Sequence, residues 1–397
     1  MINLTTANNA LKTVYLDVLD NMLNVSVNPL FSKIKKTSEG VYGKEIKVLA
    51  PYGLNGGICA TGETSELPQV SSNNYINLTT TLKNLYGVLE ISDKAVRASQ
   101  NSAGAFVNLL NDEMESLIRA SAFNLSRMLY SDGQGYIAQI LSKNSNTEFV
   151  VDTTAGIYEG MIIDIFDHGN GYYDENAFGL TVMSVDRTRN IVVAKGKKDC
   201  IFNVAESTYV FTVQESLRHE ITGINALFND EITTLYGLEK SAYSFMKGAL
   251  NTVVGDGACD EMDIVKAMDF AEEVGGSKIN YIACSSDVRR MYQNLLKEHG
   301  RNVQMVDIGN GFKGIDFYGV PMISDRFVEK DAMYLLDTDA FTLHQMCDWE
   351  WLTDDNGNVL SQKPGYATYT ATLVKYADLL CSRPLGQAKF KNITSIV

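Results

Sequence analysis

A long, weakly apolar hairpin pattern near the start of the chain constrains the fold more than any other feature of this 397-residue sequence. Residues 44–50 and 75–91 have strand composition, and Gly-, Ser- and Asn-rich residues 51–74 connect them. The second run exceeds the ~3 to 10 residues typical of strands, so the pattern predicts a projecting arm. A two-stranded hairpin alone is marginally stable in water. The simplest supplier of a supporting surface is a second copy of the chain, which indicates an assembly subunit rather than a catalyst.

The hairpin leads directly into a helical pattern over residues 105–130. Asn101 or Ser102 is the candidate N-cap, and Gly133 is the candidate stop. Apolar residues recur every three or four positions and predict one buried stripe, formed by Phe106, Leu109, Leu110, Met114, Leu117, Ile118, Ala122, Leu125 and Met128. At ~1.5 Å per residue, this helix would be roughly 40 Å long and would act as a spine of the fold.

The rest of the chain shows three further patterns. Before the hairpin, a short amphipathic helix is predicted, which ends at Asn28 and Pro29; its apolar face comprises Leu11, Tyr15, Val18, Leu19 and Met22. Residues 147–213 contain short strand patterns separated by turn residues, which predicts an inserted β-barrel or β-sandwich. Residues 221–346 mix helix and strand patterns, and the remaining residues to 397 are mostly strand.

Composition narrows the class of protein. A hydrophobic fraction of 45% with 21% charged residues is typical of a globular chain. Against 48 Asp and Glu there are 34 Lys and Arg, a formal charge of -14, and no basic run exceeds two lysines. This distribution lacks the electrostatic footprint of a tight nucleic-acid binder, although an acidic wall can still face packed DNA.

Localisation signals and cysteine spacing point to the cytoplasm. No apolar run approaches the ~20 residues that span a bilayer, and the first residues lack the pattern of a signal peptide. Synthesis and folding in the cytoplasm, with no membrane partner, are therefore expected. The cysteines are scattered without a CxxC pair, so they are expected to be small buried hydrophobes: Cys59, Cys200, Cys259, Cys284, Cys347 and Cys381.

Motifs that carry chemistry are weak in this sequence. Gly309 to Gly314 spell GxGxxG, which binds a pyrophosphate only between a strand and a helix. The following residues 315–321 have strand and turn composition, which favours a tight turn over a cofactor site. The four histidines never fall at metal-ligand spacing: His168, His219, His299 and His344.

Two acidic groups are further candidates. An acidic loop could hold Ca²⁺, but its spacing differs from an EF-hand and favours a solvated loop; its acids are Asp164, Asp167, Asp174 and Glu175. Asp348 and Glu350 alternate with Trp349 and Trp351, which could form a carboxylate pair at a sugar surface. Alternation places the acids on one face and the tryptophans on the other, so a half-exposed strand is favoured. No catalytic, cofactor-binding or metal-binding residue is assigned, and no cofactor is expected.

The order of these parts resembles the Johnson fold of tailed-bacteriophage major capsid proteins, which encapsulins share. Five segments carry the resemblance: LYGVLEISDKAVRAS at 85–99, EITGINALF at 220–228, YIACSSDVRRMYQNLLKE at 281–298, YGVPMISDRF at 318–327 and AMYLLDTDAFTL at 332–343. The resemblance covers nearly the whole chain, and the ordered combination of the segments carries it.

The resemblance implies an α+β fold with an N-terminal arm, an extended E-loop hairpin, a long spine helix, peripheral and axial domains, and an inserted β-barrel or sandwich. The implied boundaries are an N-terminal arm at 1–39, the E-loop at 40–92, a peripheral domain with the spine helix at 93–146, the inserted β-domain at 147–214, the axial α/β domain at 215–346 and a β-rich return to the peripheral and axial domains at 347–397.

The implied function is structural, without enzymatic activity. The chain would assemble into the hexamers and pentamers of an icosahedral virion head, in the host cytoplasm, around double-stranded phage DNA held by weak non-specific contact. The short segment before the spine leaves no room for a fused scaffold, so a separate scaffolding protein, a portal and a decoration protein are the expected partners. The alternatives are an encapsulin-type nanocompartment shell and, more distantly, a dinucleotide-dependent enzyme that uses Gly309 to Gly314.

Overall fold

The computed structural model describes residues 28–53, 55–63, 66, 69–72, 74–94, 103–173, 177–196, 208–255, 257–301, 303–309, 312–354 and 357–397. The amphipathic helix predicted before Asn28 lies outside these residues, as do the N-cap candidates Asn101 and Ser102. Three hydrophobic cores organise the described chain, one around a long helix, one in a β-barrel and one beneath two shorter helices.

The strands of the first half are β1 (Lys35–Thr37), β2 (Val41–Tyr42), β3 (Glu45–Tyr52), β4 (Asn74–Thr81), β5 (Lys83–Ser92), β6 (Tyr136–Lys143), β7 (Glu148–Val151), β8 (Ile162–Asp167), β9 (Tyr172–Tyr173), β10 (Leu180–Asp186), β11 (Ile191–Lys195) and β12 (Tyr209–Val213). The strands of the second half are β13 (Thr234–Leu235), β14 (Leu238–Glu239), β15 (Ala249–Thr252), β16 (Ala258–Cys259), β17 (Tyr281–Cys284), β18 (Met305–Gly309), β19 (Phe312–Phe317), β20 (Val320–Ser324), β21 (Met333–Leu336), β22 (Phe341–Trp351), β23 (Ser361–Gln362), β24 (Thr368–Cys381), β25 (Ala388–Lys391) and β26 (Ser395–Ile396). The α-helices are α1 (Ala103–Tyr130), α2 (Glu261–Glu273) and α3 (Ser286–Glu298), and short 3-10 helices lie at Ile224–Leu227, Ser244–Met246, Thr338–Ala340 and Pro384–Gly386.

Helix α1 contains the residues predicted as a spine. Its 28 residues correspond to roughly 42 Å at ~1.5 Å per residue. The stripe side chains of Met114, Ile118, Ala122 and Leu125 are buried, and they pack over strand β5. Gly87 of β5 permits this close approach, because a Cβ atom there would lie 3.1 Å from Leu117 Cδ1.

The predicted hairpin is shorter than the sequence pattern indicates. Strand β4 pairs antiparallel with β3, but β5 pairs antiparallel with β24 along its whole length. The prediction of one projecting return strand over residues 75–91 is therefore wrong. Its physical cause is a change of phase: the buried and half-buried apolar residues occupy even positions up to Leu82 and odd positions from Leu85, so the chain turns its other face to the core at this point.

A five-stranded sheet holds β5 beside the C-terminal strands. Its order is β1-β22-β24-β23, and β5 lies on the other side of β24. Trp349 and Trp351 of β22 are buried, whereas Glu350 is exposed and Asp348 is half-buried. This confirms the half-exposed strand that their alternation predicts.

Strands β6 to β12 form one sheet that closes into a β-barrel. The sheet order is β10-β11-β7-β6-β12-β8-β9, and a second pairing of β10 with β8 closes six of these strands on themselves. The boundary expected at residue 147 leaves out β6, the first strand of the barrel. Its apolar residues come in pairs, such as Ile137 with Ala138, so the strand shows no clear alternation in the sequence.

A seven-stranded sheet organises the last core, in the order β15-β25-β21-β17-β20-β19-β18. Helices α2 and α3 cover one face, through residues such as Ile264 and Val288, and the α1 core lies on the other. The side chain of Ser285 caps α3 by accepting a hydrogen bond from Val288 N at 3.2 Å. Strand β25 belongs to this sheet, whereas β24 belongs to the five-stranded sheet. The C-terminal part of the chain therefore connects the two sheets.

Candidate assembly surfaces

The hairpin formed by β3 and β4 presents apolar side chains to solvent. The exposed large residues of this region are Tyr42, Leu49, Tyr52, Ile58, Val70 and Tyr75. Single exposed hydrophobic residues are common on protein surfaces, but their concentration on one hairpin is typical of an interaction surface. The hairpin surface, as we name these six residues, is therefore suited to burial against another molecule.

The base of the hairpin is anchored by a buried carboxylate. Asp378 Oδ2 accepts hydrogen bonds from Thr80 Oγ1 at 2.5 Å and Thr222 Oγ1 at 3.2 Å. Its Oδ1 accepts from the backbone N–H of Thr222 at 2.7 Å and of Leu379 at 3.0 Å. Burial raises the pKa of Asp378, although the hydrogen bond from Thr80 opposes that effect. The anchor fixes the root of β4 and leaves the tip free.

A buried lysine fixes strand β1 to the same sheet. Lys375 Nζ donates to Asp348 Oδ1 at 2.5 Å and to Gln345 Oε1 at 2.7 Å, and Lys36 Nζ lies 3.3 Å from Asp348 Oδ2. Burial alone would raise the pKa of Asp348, but the charge and hydrogen bond of Lys375 outweigh it and hold the pKa at about 2. An acid this strong stays ionised at neutral pH. Asp348 and Glu350 therefore do not form the proton-sharing pair that general acid catalysis needs.

The expectation of a solvated acidic loop is wrong for Asp164 and Asp167, because both lie in β8, are buried and bind backbone groups. Asp164 is fully buried and accepts hydrogen bonds from Gly179 N at 2.7 Å and Glu215 N at 2.9 Å. Asp167 accepts from Gly169 N at 3.0 Å. Asp174 and Glu175 lie outside the described residues. Within the part of the chain that the structure describes, no group of three or more metal-binding side chains comes together.

The glycine motif lies at a strand pair. Gly309 ends β18, and Phe312–Phe317 forms β19, which pairs antiparallel with β18. A dinucleotide site needs a helix N-terminus at this point, and the chain has a strand instead. Asn310 and Gly311 lie outside the described residues.

The histidines are separated in space as well as in sequence. His344 Nδ1 lies 2.9 Å from the carbonyl oxygen of Glu39, and His168 Nε2 lies 3.6 Å from a carboxylate oxygen of Glu231. His168 and His344 therefore each have a local partner.

The described cysteines are mostly small buried residues, as expected. Cys259, Cys284 and Cys381 are buried, and burial raises the pKa of the Cys284 thiol to about 12. Cys59 departs from this expectation, because it lies exposed in the loop at the tip of the hairpin. No described helix is both long enough and apolar enough to cross a membrane.

The sequence patterns missed the polar anchors Lys375 and Asp378. A signal was available, since both charged residues interrupt the apolar strand of residues 371–381. A charge in such a strand indicates a buried pair or a hydrogen-bonded carboxylate.

The hairpin, long helix, barrel and two joined sheets define a mixed α/β fold, and solved structures share it. The capsid asymmetric unit of cyanophage A-1(L) aligns with 97% of this chain and 93% of its own at 10% identity and a TM-score of 0.54. The capsid of an empty GTA particle aligns with 92% of this chain and 90% of its own at 11% identity and a TM-score of 0.50. The holo-SrpI encapsulin of Synechococcus elongatus PCC 7942 aligns with 94% of this chain and 91% of its own at 10% identity and a TM-score of 0.48.

No protein-family model and no curated protein matches the sequence. At these identities the likeness establishes the fold, and the chain has the fold of the first two capsid structures. The sequence resemblance to the Johnson fold is thereby confirmed at the level of architecture.

Proposed function

We propose that this chain is a structural major capsid protein. It assembles into the hexamers and pentamers of an icosahedral phage head that encloses double-stranded DNA. The observation that carries the proposal is the fold likeness to a phage capsid subunit over 97% of the chain. The exposed apolar hairpin surface supports it, because such a surface is completed by burial in an assembly.

Each part of the fold receives a role in this proposal. The hairpin of β2, β3 and β4 is the E-loop and lies over a neighbouring subunit. Helix α1 with the five-stranded sheet is the peripheral domain, and the turn at residues 354–358 meets its copies at three-fold contacts. The seven-stranded sheet with α2 and α3 is the axial domain around the centre of each capsomer. The barrel of residues 136–213 decorates the exterior or braces the capsomer.

The partners follow from the same proposal. A separate scaffolding protein directs assembly, a portal occupies one vertex, and a decoration protein is a further candidate partner. The formal charge of -14 supports weak, non-specific contact with the packaged DNA rather than tight binding. The ionised Asp348 and the strand at the glycine motif support a structural rather than enzymatic role.

Electron microscopy of the purified protein tests the proposal. Closed particles of uniform size are the expected result, and a protein that stays monomeric under all assembly conditions would refute it. Extraction of particles from the native source then identifies the contents. Nuclease-protected double-stranded DNA supports a phage head, whereas enclosed protein without DNA would replace it with an encapsulin-type shell.

A further inference from the structure

The two helices over the seven-stranded sheet lie toward its opposite edges. Helix α2 packs over β25, which is next to the edge strand β15. Helix α3 packs over β20, on the side of the sheet that ends at the edge strand β18. We name β15 with α2 the first flank and β18 with α3 the second flank. The edge strands β15 and β18 lie at opposite edges of the sheet, and the two flanks meet where Arg301, after α3, pairs with Glu261 of α2.

The first flank is strongly acidic. Residues 260–273 carry six acidic side chains and one lysine. Asp263 pairs with Lys266 at 2.7 Å, and Glu261 pairs with Arg301 at 3.1 Å. The remaining acids of α2 are exposed and form no ion pair with any described residue: Asp269, Glu272 and Glu273. This flank therefore presents an unbalanced negative charge.

The second flank is basic. Residues 286–301 carry four basic and two acidic side chains. Arg290 is paired with Asp287, and Arg301 with Glu261, but Arg289 and Lys297 have no ion-pair partner among the described residues. The Nε atom of Arg289 is enclosed and makes no hydrogen bond within the described chain. Arg289 is half-buried and Lys297 is exposed, so carboxylates from another molecule can pair with the accessible part of the guanidinium and with the ammonium group.

Apolar groups accompany the charges on both flanks. On the first flank, an open groove of about 640 Å³ lies between β15 and α2, with Leu250 and Phe270 in its lining. Val254 beside this groove is 80% exposed. On the second flank, Met305 and Tyr318 are each 61% exposed. A groove on one side and projecting apolar side chains on the other are complementary shapes.

We propose that the first flank of one subunit binds the second flank of the next copy around each capsomer. This inference rests on the proposed shell function and specifies the contact within it. A contact between two different surfaces of identical chains is heterologous, and it closes into a ring when the rotation between copies is right. Opposite charges fix the register of the contact and disfavour contacts between like flanks. The apolar groove buries apolar side chains of the neighbouring copy.

Charge reversal tests the contact in full-length protein. Glu272→Lys with Glu273→Lys changes the unpaired charge of α2 from three negative charges to a net single positive charge, and Arg289→Glu with Lys297→Glu makes the second flank acidic. Each variant is expected to lose capsomers and shells in particle assays by light scattering and electron microscopy. The chain that carries all four changes has complementary flanks again, and it is expected to recover assembly. Lys297→Glu alone serves as a milder second-flank variant, because Arg289 is half-buried.

A mixture adds a sharper test. Equal amounts of the two reversed variants can alternate around a ring with an even number of subunits but not with an odd number. The mixture is therefore expected to form hexamers and to fail at pentamers. Glu159→Lys with Glu215→Lys, two exposed acids outside both flanks, is the control for added positive charge, and it should disturb assembly less than the flank variants do.

The outcomes separate this inference from the proposed function. Wild-type shells together with normal assembly of both reversed variants would overturn the flank contact and leave the capsid role intact. A wild-type chain that never assembles would overturn both. Recovery in the four-fold variant, with folding verified by circular dichroism for every variant, supports the contact.

Discussion

Thr80 on the hairpin and Asp378 on strand β24 are joined by a buried hydrogen bond of 2.5 Å between Oγ1 and Oδ2. Thr222, which follows the barrel, donates to the same carboxylate through its N–H and its hydroxyl. One side chain thus ties together the hairpin, the five-stranded sheet and the segment between the barrel and the seven-stranded sheet. Asp378 forms no ion pair with any described residue, and burial has the largest effect on its pKa, which it raises.

The first prediction concerns the pH dependence of this anchor. Because burial raises the pKa of Asp378, the folded chain binds its proton at a higher pH than the unfolded chain does. The stabilisation from this group is therefore fully present at acid pH and is lost as the pH rises through the folded pKa. Asp378→Asn removes that loss, since an amide can accept from Thr222 N and donate to Thr80 Oγ1. The free energy of unfolding of the subunit can be measured with denaturant at a series of pH values. As the pH rises, it should increase for the variant relative to the wild type.

Asp378→Leu is the matched comparison. It fills similar space but leaves the N–H of Thr222 without its acceptor, a loss worth about 1–3 kcal/mol at every pH. If the Asn and Leu variants were equally destabilised at every pH, the carboxylate would not be the anchor.

A second prediction concerns the buried stripe of α1. Leu125 is 2% exposed, so Leu125→Asp forces a charge into the core and should lower the free energy of unfolding by more than about 4 kcal/mol. Ser116→Asp on the exposed face should change it by less than about 0.5 kcal/mol. Soluble yield and urea unfolding measure both. Asn124 is a poorer control, because its Oδ1 atom is buried. Similar losses for Leu125→Asp and Ser116→Asp would mean that the helix phase is wrong.

The sequence is sufficient to predict local helix and cap patterns, but it is insufficient to predict which strands pair with each other. The period of α1 and the cap at Ser285 depend on residues within one turn of each other, so they could be predicted from the sequence. Strand β5 pairs with β24, which lies nearly three hundred residues later (Lys83 faces Ala377), and nothing in its own composition specifies that partner. The change of phase between Leu82 and Leu85 did mark the break, and it was the available signal for two strands.

For the candidate surfaces too, the sequence predicts the local composition but not the long-range arrangement. Exposed apolar residues of the hairpin surface could be anticipated from its weak apolarity and its turn-rich tip. The charges of α2 and α3 are also visible in the sequence, but their position on opposite flanks depends on the order of strands in the seven-stranded sheet. That order is set by long-range packing, which one sequence does not reveal.

A third prediction concerns the tip of the hairpin. Replacing residues 55–72 by a short Asn-Gly turn should leave a folded subunit, because the buried hairpin residues Ile46 and Leu78 lie outside the deletion. Shell formation should be lost, since the tip residues Ile58 and Val70 are exposed and their contacts would lie between chains. Circular dichroism and analytical ultracentrifugation separate the two effects. Normal shells without the tip, or loss of the subunit fold, would both count against this role.

The last prediction concerns acid and the Lys375–Asp348 pair. Lys375 holds the pKa of Asp348 at about 2, below its ordinary 3.8, so the carboxylate contributes stability that is present above pH 3.8 and is lost as the pH falls toward 2. In Lys375→Met the buried charge is absent, and Asp348 keeps only Lys36 at 3.3 Å, so its pKa should return toward 3.8. Between pH 5 and about 2, the free energy of unfolding should therefore fall less steeply with pH for the variant than for the wild type. Lys363→Met, which removes an exposed ion pair with Glu90 in the same region, controls for the loss of a surface lysine and should retain the wild-type slope. An unchanged acid slope in Lys375→Met would mean that the buried lysine does not control Asp348.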